Sequence, residues 1–275
     1  MKNSKKKIRI GIVGCGAIGS RIAKSVQKEL KGFCTLSALF DINFQKSKQL
    51  VNQLKAKSII KKSLKDLLKS SDFIIEAVNA KDTQPIIREA LKMKKNVLAM
   101  SVGKLLNAHD LFSLATKNHS ALLLPSGAIA GVDAIKAASL VKISSVTLTT
   151  RKHPSGFVDN AYITQKGINL REIDQETVIF DGDVDTAVKF FPQNINVAAT
   201  LSLASQVKEK VRIRIITSPH YKTNSHEVEV LGDFGRITTL TDNVVCPDNP
   251  KTSYLAVLSG IQTLKQFFSG VKIGT

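Results

Sequence analysis

The stretch Lys7-Ile-Arg-Ile-Gly-Ile-Val-Gly-Cys-Gly-Ala-Ile-Gly19 joins an apolar run to three glycines and then to a helix-forming segment. The apolar part is typical of a buried strand, and Gly14, Gly16 and Gly19 have the G-x-G-x-x-G spacing of a dinucleotide-binding turn. Gly14 permits the tight turn, Gly16 lets a pyrophosphate approach the backbone, and Gly19 lets the helix pack closely on the sheet. The helix that begins near Ala17 directs its N-terminal N–H groups at the pyrophosphate.

An acidic residue after the next strand supports this interpretation. The apolar segment Thr35-Leu-Ser-Ala-Leu-Phe40 is followed by Asp41, roughly 20 residues beyond the glycines. A carboxylate there can accept hydrogen bonds from both hydroxyls of the adenosine ribose. Asp41 favours NAD over NADP because its charge repels a 2′-phosphate. Lys46 and Lys48 lie close by in sequence, so use of NADP stays open.

Length and composition indicate a folded protein with two domains. The chain has 275 residues, of which 43% are hydrophobic and 23% are charged, enough for two sizeable cores. No apolar run approaches the roughly 18 residues of a membrane span. Residues 1–7 lack the apolar stretch of a signal peptide, so we expect a cytoplasmic protein without membrane attachment. Cys15, Cys34 and Cys246 lack C-x-x-C spacing, and we therefore expect neither a metal site nor a disulfide framework.

The net charge of +18 raises the question of nucleic-acid binding. The lysines and arginines are spread along the chain, there is no tryptophan, and no nucleic-acid-binding module is recognisable. A solvated basic surface is therefore the favoured interpretation, and nucleic acid is not expected as a partner. The same positive field attracts a dianionic substrate and a pyrophosphate cofactor.

Strands alternate with helices over the first half of the chain. The predicted elements are strands at 72–78, 96–100 and 121–124 and helices at 64–68, 80–93 and 108–117. This alternation predicts an α/β fold with a Rossmann-type, doubly wound parallel sheet. Ligands of such sheets bind at the carboxyl ends of the strands. We therefore predict an NAD(P)-binding domain over residues 1–126.

The pattern changes after Ala130. The predicted elements are helices at 132–140, 184–190 and 194–204 and strands at 144–150, 211–217, 226–230 and 236–240. Such mixed strands with helices on one side predict an open, mixed α+β sheet, which we expect to be the substrate and catalytic domain over residues 127–246. Residues 157–172 show only weak periodicity. We expect the C-terminal segment 247–275 to carry a helix that packs back on the first domain.

Several unusual stretches, in order along nearly the whole chain, resemble the L-aspartate dehydrogenase family. They are residues 11–19, 101–104, 125–131, 149–154, 191–200, 224–226 and 249–254. The resemblance implies oxidation of L-aspartate with NAD or NADP to iminoaspartate, which gives oxaloacetate and ammonia, by a homodimer. In the family the imine can instead feed quinolinate formation, which would connect the chain to NAD biosynthesis.

The resemblance also assigns site residues. The catalytic histidine of the family corresponds to His226, and an ordinary histidine pKa near 6.5 suits a base that accepts a proton from an ammonium group or a water. The implied cofactor contacts are Gly14, Gly16, Ala17, Ile18, Gly19, Asp41, Ala128, Ala130 and Asn196. The implied substrate contacts are Ser126, Gly127, Lys152, Asn224 and Lys251. His153 and His220 are the competing histidines, and the turn at 79–82 departs from the family pattern.

Two alternative functions stay open. The same two domains would suit an imine reductase similar to dihydrodipicolinate reductase, which a panel of substrates would distinguish. A non-catalytic, NAD(H)-sensing protein that binds nucleic acid through its basic surface would instead show salt-sensitive affinity for DNA or RNA and no turnover.

Overall fold

A computed structural model describes residues 7–56, 58–78, 82–191, 195–247 and 249–274, without the side chains of 195 and 249–251. The chain divides into two compact units. The first unit comprises the residues up to Pro125 together with Gly260–Val271, and the second comprises Ser126–Ser259 together with the residues from Lys272 onward.

The first unit is built on a parallel sheet. Its strands are β1 (Ile8–Val13), β2 (Cys34–Phe40), β3 (Phe73–Glu76), β4 (Asn96–Ala99) and β5 (Leu122–Leu123), in the order β2-β1-β3-β4-β5. Its helices are α1 (Ala17–Lys28), α2 (Phe44–Leu54), α3 (Leu64–Lys69), α4 (Thr83–Lys92) and α5 (His109–Lys117). The Rossmann-type sheet is therefore confirmed. The direction of the strand order reverses between β1 and β3, where such sheets bind their ligands.

Helices cover both faces of this sheet. On one face Ile10 and Ile12 of β1 share a core with Ile22 and Val26 of α1. Leu264 joins the same core from the helix α10 (Tyr254–Phe268), whose residues from Gly260 onward belong to this unit. On the other face β1 and β3 pack on α3, α4 and α5. Strands buried on both faces explain the nearly continuous apolar runs in the sequence.

The second unit contains an open, mixed sheet. Its strands are β6 (Ile143–Lys152), β7 (Thr177–Asp183), β8 (Val211–Thr217), β9 (Asn224–Gly232) and β10 (Gly235–Asn243), in the order β10-β9-β6-β8-β7. Strands β6 and β8 are parallel, whereas the other neighbours are antiparallel. The helices are α6 (Val132–Ala138), α7 (Ala161–Gln165), α8 (Val184–Phe190) and α9 (Ile195–Ser205), and the short strands β11 (Val245–Cys246) and β12 (Asn249–Ser253) precede α10. The mixed α+β sheet is also confirmed.

Five of these elements, α2, α7, β7, β11 and β12, were not predicted from the sequence. Helix α2 follows Asp41 without a strong apolar stripe, because only Ser47 and Leu50 are buried in it. Strand β7 lies at the edge of its sheet and carries Asp181, Gly182 and Asp183, residues that are rare in strands. Within the described residues, no helix is long and apolar enough to cross a membrane.

Candidate active site

The glycine turn lies at the carboxyl end of β1. A Cβ atom on Gly14, which has φ +96°, would collide with the carbonyl oxygen of Ala77, and a Cβ atom on Gly19 would collide with the carbonyl oxygen of Gly14. These two glycines are therefore required by packing within the unit. A Cβ atom on Gly16 would have no described atom within 4 Å. Packing within the protein therefore does not require glycine at position 16. The close approach of a pyrophosphate to the backbone would require it.

The N-terminus of α1 fits an anion. Gly16 is the N-cap residue in an extended conformation, and it has no side chain that could accept hydrogen bonds from the first turn. Ala17 and Ile18 form that turn, which contains no acidic residue. The N–H groups and the positive end of the helix dipole are therefore available to a pyrophosphate, as the predicted cofactor site requires.

Asp41 is held against the glycine turn. One carboxylate oxygen accepts a hydrogen bond from the backbone N–H of Cys15 at 2.8 Å, and the other accepts one from the N–H of Asn43 at 2.8 Å. Each carboxylate oxygen has two lone pairs, so both can still accept from ribose hydroxyls. The residues of the first unit therefore fit a dinucleotide.

His226 is buried in the second unit. It lies on β9, its side chain is 4% exposed, and its Nδ1 is 3.0 Å from Oγ1 of Thr150, its cross-strand neighbour on β6. Burial, and then the charge of Lys152, lower the pKa of His226 to about 3. The imidazole is therefore neutral well below physiological pH, with a pKa far under the ordinary value near 6.5 assumed from the sequence. The hydrogen bond with Thr150 orients the ring through Nδ1 and does not involve Nε2.

Lys152 lies two residues beyond Thr150 on the same face of β6. Lys152 is only 9% exposed, and burial lowers the pKa of its amine to about 8. An amine with that pKa exchanges a proton readily near neutral pH. A buried ammonium group and a buried imidazole thus occupy the same face of one sheet, since Thr150 lies two residues before Lys152 on β6 and opposite His226 on β9.

The segment 126–131 is anchored beside His226. The carbonyl oxygen of Ala128 accepts hydrogen bonds from Oγ1 of Thr241 at 2.8 Å and from Nδ2 of Asn243 at 3.1 Å. Thr241 is the cross-strand neighbour of His226 on β10, and its hydroxyl is also 3.3 Å from the carbonyl oxygen of His226. The structure therefore brings this loop and the candidate catalytic histidine together within the second unit.

The loop residues differ in their availability. Ala128 is buried, whereas Ala130 is exposed. The N–H of Gly127 donates to Oγ of Ser259 at 3.1 Å, so this N–H is already committed and is not available to a substrate carboxylate as the sequence suggested. Ser126 is half-buried, and its hydroxyl stays the candidate carboxylate ligand of this loop.

The other predicted residues fall in four places. Asn224 begins β9 on the same face as His226, and Asn196 is exposed in the first turn of α9. Lys251 lies in β12, but its side chain is outside the described part of the structure. Residues 79–81, in the turn that departs from the family pattern, are also outside the described part.

The two competing histidines have local structural contacts instead. Nδ1 of His153 accepts the N–H of Ser155 at 3.2 Å and so caps the turn at 154–157, and Nε2 of His220 is 3.1 Å from the carbonyl oxygen of Asp174. Sequence reasoning gave no role to Thr150 or Thr241. The alternation along β6 was the available signal, because it places Thr150 on the inner face at the end of the strand where Lys152 lies.

Comparison with known proteins identifies the family of the chain. A family model described as "Aspartate dehydrogenase, C-terminal" matches residues 133–267, and one described as "Homoserine dehydrogenase, NAD binding domain" matches residues 14–125. An L-aspartate dehydrogenase of Methanosarcina barkeri is 43% identical over 271 residues, which cover 98% of this chain and 100% of that protein. One of Methanocella arvoryzae is 40% identical over 270 residues, covering 97% of this chain and 99% of that protein.

Solved structures show the same fold. The crystal structure of aspartate dehydrogenase from Thermotoga maritima has a TM-score of 0.69 at 21% identity, covering 98% of this chain and 100% of that one. A homoserine dehydrogenase from Thiobacillus denitrificans has a TM-score of 0.62 at 12% identity, covering 94% and 72%. With full-length relatives at about 40% identity and both units matched in order, this chain belongs to the L-aspartate dehydrogenase family.

Proposed function

We propose that this protein oxidises L-aspartate with NAD, giving iminoaspartate and then oxaloacetate and ammonia. The observation that carries the proposal is the inner face of the second sheet, where Thr150 orients a neutral His226 and Lys152 supplies a buried positive charge. An amino acid with two carboxylates needs both a cation for those carboxylates and a group that handles its ammonium proton. These two side chains provide both.

The first unit would hold the cofactor. The first turn of α1 would bind the pyrophosphate at Gly16, and Asp41 would bind the adenosine ribose. Ala128 or Ala130 and Asn196 would contact the nicotinamide end. Bound NAD supplies the hydride acceptor. We propose NAD in preference to NADP, because the Asp41 carboxylate would lie close to a 2′-phosphate and repel it. Lys46 is the nearby positive charge that acts against this preference, since it is near enough to the glycine turn to influence Cys15 electrostatically.

The residues of the second unit would bind the substrate and move its proton. Lys152, Lys251, Asn224 and the hydroxyl of Ser126 would bind the two carboxylates. A carboxylate beside Lys152 would cancel part of the charge that lowers the pKa of His226. Substrate binding would thereby make Nε2 of His226 a stronger base when the ammonium group must lose its proton, and the same nitrogen would later help water add to the imine.

We further propose that the protein is a homodimer, as the family resemblance implies. Its product iminoaspartate would feed quinolinate formation and so NAD biosynthesis. We also propose that it works in the cytoplasm, where free aspartate and NAD are available. Light scattering during size-exclusion chromatography measures the mass of the assembly and tests the first of these statements.

The activity is tested by the absorbance of reduced nicotinamide. Purified protein is mixed with NAD or NADP and with L-aspartate, D-aspartate, glutamate, malate or homoserine in turn. We expect reduction with L-aspartate, and faster reduction of NAD than of NADP at equal concentrations. No reduction with L-aspartate by a protein that binds NAD in calorimetry would contradict the proposal, and turnover of a cyclic imine instead would favour the imine-reductase alternative.

Variants test the roles of the side chains. His226→Asn should lower kcat at least 100-fold while NAD affinity stays within threefold, because general acid–base groups contribute roughly 100- to 10,000-fold. Lys142→Met is the matched control for Lys152→Met, since Lys142 is an exposed lysine of the same unit. Near wild-type turnover by His226→Asn with NAD still bound would show that the histidine has no catalytic role.

A further inference from the structure

The edge strand β10 carries polar residues on a face where its neighbour is apolar. Side chains alternate along a strand, so Thr239, Thr241 and Asn243 share one face of the sheet. On the adjacent strand β9 the same face carries Val228 and Val230, which are fully buried. An antiparallel sheet normally directs apolar side chains towards its covered face. The three polar residues therefore need hydrogen-bond partners on that face.

Those partners are backbone carbonyl groups of the segment that precedes α6. The carbonyl oxygen of Ala128 accepts from Oγ1 of Thr241 at 2.8 Å and from Nδ2 of Asn243 at 3.1 Å. A carbonyl oxygen has two lone pairs, and two donors are directed at this one. Oγ1 of Thr239 donates to the carbonyl oxygen of Ala130 at 3.4 Å. Acceptors two residues apart thus meet donors two residues apart, with the segment antiparallel to β10.

Asn243 occupies its position against the interest of stability. The residue is 3% exposed, and its Oδ1 has no hydrogen-bond partner among the described residues. A buried acceptor without a partner destabilises the folded state. Exchanging Oδ1 and Nδ2 would not help, because two acceptor oxygens would then lie 3.1 Å apart at Ala128. An apolar residue would avoid this cost, so the donor to Ala128 is what the carboxamide adds.

Thr241 joins the segment to the candidate base. It is the cross-strand neighbour of His226, and its Oγ1 lies 3.3 Å from the carbonyl oxygen of His226 and 2.8 Å from that of Ala128. One hydroxyl therefore lies between the two main-chain segments. Ser126, whose hydroxyl is the proposed carboxylate ligand, is two residues before Ala128. A shift of Ala128 relative to His226 would therefore shift Ser126 as well.

We propose that Thr239, Thr241 and Asn243 form a clamp on β10 that fixes the segment 126–131 against His226, and so sets the distance between the carboxylate ligand and the base. They are positioning residues, which act through the segment and not on the substrate. The effect on L-aspartate turnover rests on the proposed function. The clamp itself is a property of the second unit and can be tested without turnover.

Hydrogen exchange measured by mass spectrometry tests the clamp. Thr241→Val keeps the shape of the side chain and removes one donor to Ala128. We expect peptides that contain residues 126–131 to exchange at least fivefold faster in this variant than in the wild type, and those of Thr241→Ser to stay within twofold. The control is Thr238→Val, which changes an exposed threonine on the other face of β10. Unchanged exchange of this segment in Thr241→Val would overturn the proposal.

Steady-state kinetics at saturating NAD tests the consequence for the site. We expect Thr241→Val to raise KM for L-aspartate at least fivefold, because the carboxylate ligand is no longer held at a fixed distance from the base. Thr241→Ser and Thr238→Val should stay within twofold. A smaller folded fraction would lower kcat and leave KM unchanged, so a rise in KM is specific to positioning. Unchanged KM in a variant whose segment exchanges faster would overturn the positioning role.

A second variant keeps the test decisive if circular dichroism shows that Thr241→Val does not fold. Asn243→Leu removes the other donor to Ala128 together with the unpaired Oδ1. We expect it to raise KM for L-aspartate and the exchange of the segment without lowering the midpoint of urea denaturation. A lower midpoint with unchanged KM would show that the clamp only stabilises the fold and would overturn the proposal. Absence of L-aspartate turnover in the wild type would instead contradict the proposed function, and hydrogen exchange would still decide on the clamp.

Discussion

Replacing Lys152 with methionine should stabilise the protein at neutral pH while it impairs the enzyme. Burial lowers the pKa of Lys152 from the ordinary 10.5 to about 8. Since one pKa unit corresponds to about 1.4 kcal/mol, the buried ammonium group costs about 3 kcal/mol of folding free energy wherever it is charged in both states. Methionine has a similar volume and no charge, so it removes most of this cost.

The stabilisation should depend on pH in a specific way. The pKa of Lys152 is lower in the folded protein than in the unfolded chain, so between about pH 8 and pH 10.5 the unfolded chain binds more protons. Stability of the wild type therefore gains its Lys152 contribution as pH rises through this window. The advantage of Lys152→Met should be about 3 kcal/mol at pH 7 and should shrink towards zero near pH 10.5.

Urea denaturation, followed by circular dichroism at several pH values between 6.5 and 10.5 for both proteins, measures this difference. Groups that titrate identically in both proteins cancel in the comparison. The control Lys142→Met should change the free energy of unfolding by less than about 0.5 kcal/mol at every pH, because it alters an exposed side chain. A variant that is less stable than wild type at pH 7, or an advantage that stays constant up to pH 10.5, would refute the argument from burial.

Three other predictions concern the glycine turn, the buried histidine and the cofactor preference. Gly16→Ala should change the free energy of unfolding by less than about 0.5 kcal/mol relative to wild type, but it should weaken NAD binding at least tenfold in calorimetry. Gly19→Ala should lower the melting temperature, because the added Cβ collides with the carbonyl oxygen of Gly14. The free energy of unfolding of the wild type should fall by up to about 5 kcal/mol as pH drops from 6.5 to about 3, because His226 takes up a proton in the unfolded chain but not when it is buried. His226→Gln should reduce this dependence on pH. Asp41→Ala should lower the preference for NAD over NADP, measured as the ratio of the two dissociation constants.

Sequence reasoning performed well where structure depends on neighbours along the chain. The strand, the three glycines and the helix follow one another directly between Ile8 and Lys28. Close packing requires glycine at positions 14 and 19, as the spacing predicted. It failed at β7, because an edge strand with two aspartates and a glycine is held by its partner and not by its own propensity. In this case Arg212 of β8 supplies the partner, with its Nε 2.5 Å from Oδ1 of Asp181.

The protonation states and hydrogen-bond partners of the buried side chains could not be predicted from the sequence. The resemblance pointed to His226, but only the sheet pairs it with Thr150, 76 residues earlier, and buries it near Lys152. From the sequence, Glu76 is only an acidic residue at the end of an apolar strand. Its environment depends on Ser101, 25 residues away, and on the packing that excludes water from both.

The sequence alone therefore determined the two fold classes, the cofactor turn and the family, because periodic burial and glycine spacing are properties of short segments. The tertiary structure decided which groups are charged and which hydrogen bonds orient them. Those properties arise when strands that are distant in sequence pair and remove side chains from water, since the pKa of a buried group follows its surroundings and not its position in the chain.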